Sequence, residues 1–117
     1  MIMTKKPRRS EATPVERGSG NVYADLGFKD ANAMLAKARI VARISQMLRD
    51  QGLTQAAAAR VLGLNQPKVS ALLRGHFQGY SQERLIGLLN RLGCDVEIVV
   101  KPGRRKNMAG QVSVTFT

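Results

Sequence analysis

The sequence contains no tryptophan, two tyrosines, three phenylalanines, one cysteine and one histidine in 117 residues. So few aromatics leave the core to Leu, Ile, Val, Met and Ala, a palette that points to packed helices. A single cysteine, Cys94, excludes an internal disulfide, and with His76 as the sole histidine neither a zinc site nor a metal cluster can be assembled. No metal and no cofactor is therefore expected. No apolar run approaches the roughly 18 residues that span a bilayer, and Lys5, Lys6, Arg8 and Arg9 are not followed by an apolar stretch. A reducing cytoplasm without a membrane partner fits this pattern. The chain also lacks a nucleophile beside a base, a recognisable carboxylate pair and a glycine-rich phosphate loop, so an enzyme is not expected.

Acidic side chains are scarce as well. Lys and Arg number 19 against 8 Asp and Glu, a formal charge of +11 that is spread over the body and both ends. Such a field concentrates polyanions, and nucleic acid is the commonest cytosolic polyanion that a small basic domain meets; the alternative at this point is a basic composition that merely keeps the protein soluble. Residues 1–21 mix Pro7, Pro14, Gly18 and Gly20 with charge and almost nothing apolar, which predicts a flexible basic arm. Val22, Tyr23, Leu26 and Phe28 then form a short apolar cluster expected to pack as an entry segment. Asp30 can cap a helix from Ala31 to about Gln51, with Ile40, Ile44, Met47 and Leu48 on its buried face, Arg39, Arg43 and Arg49 in solvent, and Gly52 at its end. Met34 and Met47 are expected to fill gaps in the core.

Three shorter helices are expected next. Thr54 caps one that closes at Gly63, Asn65 caps a second with Pro67 in its first turn and Gly75 at its end, and Ser81 starts a third carrying Leu85, Leu88, Leu89 and Leu92. The period then changes. Val96–Val100 and Gln111–Thr117 are β-branched or alternating, so residues 94–117 are expected to form a β-strand or hairpin extension to a helical domain over 22–93.

Residues 54–75 carry the chemistry. Two helices that cross steeply through a three-residue turn need a small residue at their closest approach, a glycine in the turn and apolar anchors on the second helix. Ala59, Gly63, and Val69 with Leu72 meet those needs, and Ala58 and Leu62 extend the inner face. Gln66, Pro67, Lys68, Ser70, Ala71 and Arg74 remain for the outer face. A glutamine there can bridge adenine, a lysine or arginine can donate to guanine or phosphate, and Ala71 can touch a thymine methyl. Arg39 and Arg60 read as solvated charges, His76 as plain surface beside a possible phosphate contact, and Cys94 as a small buried residue rather than a reactive thiol.

Gly52, Leu53, Thr54, Gln55, Ala59, Gly63, Gln66, Val69 and Ser70 resemble the helix-turn-helix signature of the lambda-repressor-like, or XRE, regulators. Residues 21–27, 66–75 and 89–98 resemble one branch of that group, the HigA-like antitoxins of bacterial toxin-antitoxin pairs. The resemblance implies a mainly α, five-helix DNA-binding domain that is usually dimeric, represses its own operon and binds an RNase toxin of the RelE/HigB group. It implies DNA contacts at Gln55, to phosphate; at Gln66, to a base edge; at Lys68 and Ser70, to base or phosphate; and at Arg74, clamping the backbone. Pro67 departs from the small polar residue often found there. A single motif covers few base pairs, so a homodimer on a palindromic operator of double-stranded DNA is expected, glued through a strand such as Val96–Val100. A stand-alone regulator without a toxin and a general, charge-driven nucleic-acid binder are the rival readings.

Overall fold

A computed structural model describes residues 21–25, 27, 31–103 and 109–117. The basic arm, apart from Asn21, and Leu26, Phe28 and the expected cap Asp30 lie outside the described residues. The chain divides into two compact units, one ending at Leu35 and the other running from Ala36 to Thr117.

In the first unit, α1 (Val22–Asp25) is a single turn. Asn21 nucleates it: its Oδ1 accepts from the Tyr23 N–H at 3.0 Å, while its Nδ2 donates to Asn32 Oδ1 at 3.2 Å. These bonds satisfy a buried polar side chain that would otherwise be costly. Val22, expected within the apolar entry cluster, stays 54% exposed. Helix α2 (Ala31–Asp50) begins here, and Met34 is buried as expected.

The second unit contains the rest of α2 and three helices, α3 (Gln55–Leu62), α4 (Gln66–Leu73) and α5 (Gln82–Arg91). Ile40, Ile44 and Leu48 are buried at the spacing read from the sequence, joined by Val41. Met47, expected on the buried face, is half-buried, as is Cys94, expected to be buried, whose Sγ lies 2.8 Å from the Met47 Sδ. Helix α2 stops at Gly52, where the Leu53 N–H returns to the Leu48 carbonyl at 3.0 Å. Ala58, Ala59, Leu62, Val69, Leu72, Leu85, Leu88, Leu89 and Leu92 line the core, together with Phe77 from the α4–α5 connection. Helix α3 packs on both α4 and α5.

Three expectations need correction. Among the described residues there are four helices of eight residues or more, and what precedes them is the single turn α1, so five full helices do not form. No strand or hairpin forms in the described parts of 94–117. A strand needs a partner for its backbone groups, and these two segments do not pair with each other. Phe116 instead lies under the guanidinium of Arg43 on α2, 5.0 Å from Cζ to the ring centroid. That contact is also why Arg43 is half-buried rather than fully solvated.

Candidate nucleic-acid interface

The α3–α4 unit is built by its caps. Thr54 has an extended backbone and its Oγ1 accepts from the Ala57 N–H at 3.1 Å; Asn65 does the same for Lys68, with its Oδ1 2.9 Å from the backbone nitrogen. Each cap removes an orphan donor from a helix start. Between them lie only Gly63, Leu64 and Asn65. Gly63 adopts φ 70°, ψ 31°, a left-handed conformation that lets the Leu64 N–H reach the Ala59 carbonyl at 3.0 Å. The turn brings α4 across α3 with Val69 and Leu72 fully buried beneath it.

The outer side of α4 follows from that anchoring. At about 100° per residue, Val69 and Leu72 fix the inward direction, Pro67, Ala71 and Arg74 fall opposite with Ser70 beside them, and Gln66 and Lys68 flank the first turn. Gln66, Pro67, Lys68 and Arg74 are exposed, and Ser70 and Ala71 are half-buried. Gln55, the first residue of α3, is exposed too. The seven residues singled out from the sequence therefore sit on one two-helix unit, and none is sequestered in the core. His76, just past α4, is exposed.

Two features escaped the sequence reading. From Gln51 through Gln82 the chain has no Asp or Glu, so the whole motif carries cations without a competing carboxylate, including the exposed Arg60, Lys68 and Arg74. This was legible by counting acids rather than bases. The second is Arg91. From the end of α5 its guanidinium reaches the α3–α4 turn, where a Cβ on Gly63 would come within 2.9 Å of Nη2. Spacing along the chain does not announce that approach, because it depends on how α5 packs on α3.

This geometry defines a helix-turn-helix, and the comparisons with known proteins agree. A family model described as a helix-turn-helix domain matches residues 22–101. A solved chain, named provisionally as an XRE family transcriptional regulator, aligns with a TM-score of 0.69 and 43% identity, over 75% of this chain and 99% of that one. No curated protein matches. The chain belongs to the XRE family of helix-turn-helix, DNA-binding transcriptional regulators. Among its described residues no helix is long and apolar enough to cross a membrane.

Proposed function

We propose that the protein is a sequence-specific repressor that lays the outer side of α4 into the major groove. The carrying observation is that Pro67 and Arg74 are exposed opposite the buried Val69 and Leu72, with the exposed Gln66 and Lys68 flanking them, in a stretch free of carboxylates. In this reading Gln66 reads a base edge, Lys68 and Ser70 contact base or phosphate, Ala71 meets a thymine methyl, Arg74 clamps the backbone, and Gln55 binds phosphate from the start of α3. Pro67 gives α4 a preset opening turn at the DNA-facing end. One such unit covers a few base pairs, so the protein works in the cytoplasm as a homodimer on two half-sites about 34 to 36 Å apart.

We further propose that it is the antitoxin of a type II pair, repressing its own operon and neutralising an RNase toxin of the RelE/HigB group. The resemblance of residues 21–27, 66–75 and 89–98 to HigA-like antitoxins supports that finer reading, and the rival is a regulator that acts without a toxin. Footprinting of the DNA upstream of its own gene, with and without the neighbouring gene product, tests both readings. A protected palindrome whose occupancy changes with a co-purifying small RNase supports the pair. Protection indifferent to any neighbour leaves a stand-alone repressor, and equal binding to unrelated DNA removes sequence specificity altogether.

A further inference from the structure

Residues 95–101 are exposed throughout, although four of the seven are aliphatic. Val96, Ile98, Val99 and Val100 are 38%, 77%, 71% and 91% exposed, in a segment that is neither helix nor strand. The segment is bounded by the half-buried Cys94, whose backbone N–H returns to Leu89 at 3.0 Å, and by Pro102, which has no N–H to offer a ladder. Its midpoint is Ile98.

We propose that this segment is the self-association surface: residues 95–101 of two copies pair as antiparallel strands across a two-fold axis at Ile98. The inference rests on the dimeric reading above and gives it an interface and a register. Symmetric pairing about Ile98 sets Asp95 opposite Lys101, Val96 opposite Val100, Glu97 opposite Val99, and Ile98 opposite its own copy. Side chains alternate between faces, so one face of the two-stranded ribbon becomes wholly aliphatic, with Val96, Ile98 and Val100 from each copy. The other face ends in two opposite-charge pairs, and Glu97 lies diagonal to the same lysine.

Neighbouring registers are poorer for stated reasons. Centring on Glu97 places two glutamates face to face. Centring on Val99 keeps a Glu97–Lys101 pair on each side but sets Pro102, which cannot donate, opposite Val96 and leaves Asp95 opposite Gly103. A shift by half a step mixes the faces and puts both acids against aliphatic side chains. Pairing also satisfies backbone groups that an isolated chain leaves open, which explains why so apolar a segment carries no strand in a single copy.

The test is charge reversal followed by restoration, read by sedimentation equilibrium of the full chain. Parent protein is expected to be a dimer. Lys101→Asp turns two attractive pairs per dimer into two repulsive ones and is expected to weaken the dissociation constant roughly tenfold or more, from opposite-pair energies of cross-strand neighbours. Adding Asp95→Lys restores the opposition and is expected to recover most of the loss. In a Cys94→Ser background, Ile98→Cys is expected to cross-link two copies under mild oxidation, whereas Val99→Cys is not. A monomeric parent, a double reversal no better than the single one, or equal cross-linking at 98 and 99 overturns the proposal. Binding to a single half-site, measured alongside, separates the outcomes: loss of self-association with half-site binding intact refutes this interface alone, while loss of half-site binding in the parent refutes the DNA reading.

Discussion

Gly63→Ala isolates the turn on which the placement of α4 depends. Gly63 sits at φ 70°, ψ 31° and closes α3 through N–H bonds to the Ala59 and Arg60 carbonyls. An L-residue with a Cβ pays roughly 1–2 kcal/mol in that left-handed region. The added Cβ would also approach Arg91 at 2.9 Å from Nη2, 3.1 Å from Cζ and 3.4 Å from Nε. Those atoms end a flexible, exposed side chain, so Arg91 can move aside at little cost. The backbone term should therefore dominate, and Gly63→Ala is expected to cost about 1–2 kcal/mol, lowering the midpoint by roughly 5–15 °C for a domain of this size. Urea denaturation and thermal circular dichroism measure both. Arg91→Ala separates the two causes: Gly63→Ala should cost nearly as much in an Arg91→Ala background, and Gly63→Asn should cost less than Gly63→Ala, since asparagine tolerates this conformation better. Full rescue by Arg91→Ala would show that crowding, not backbone conformation, makes the glycine necessary.

Further expectations concern the site and its support. Gln66→Ala should lose about 1–3 kcal/mol on the operator and almost nothing on random DNA; equal losses in a fluorescence anisotropy titration would remove its base-reading role. Lys68→Ala, if the lysine meets phosphate, should weaken binding evenly across sequences and reduce the salt slope by about one, and an unchanged slope would assign the lysine elsewhere. Asn65→Ala frees the Lys68 N–H and should destabilise the fold by about 0.5–2 kcal/mol, with chemical denaturation as the readout and no change contradicting the cap. Leu72→Ala, fully buried beneath α4, should cost about 2–5 kcal/mol, and a loss well under 1 kcal/mol by the same method would mean that the site collapses around the gap.

The motif was legible because its determinants are local. Thr54, Asn65 and Ser81 each cap the next turn of the chain, and the three-residue turn with Gly63 leaves little choice of path. Val69 and Leu72 are buried as their spacing required, which in turn fixed the outward set on α4. What escaped depends on partners distant in sequence. Phe77 lies in no periodic stretch, yet it is 4% exposed because the α4–α5 connection folds it inward. Arg43 looked like any solvated arginine until Phe116 came under it. Alternation in 94–117 was a correct reading of composition but an incomplete reading of structure, since strand pattern alone supplies no neighbour to bond with. The single turn at Val22–Asp25 rests on the Asn21 side chain and its bond to Asn32, a link between residues too far apart for local pattern to show.

The opening of α4 divides labour in a way that bears on how such a protein can change its target. Pro67 contributes no main-chain donor, the Lys68 N–H is already held by Asn65 Oδ1, and the Val69 N–H is held by the Asn65 carbonyl. With so much of the helix start committed internally, the proposed anchorage to a duplex falls to side chains rather than to the peptide backbone of this turn. In the proposed docking, grip and reading are carried by different residues, and the letter read by Gln66 would be rewritten by one substitution while the hold on the strand persists.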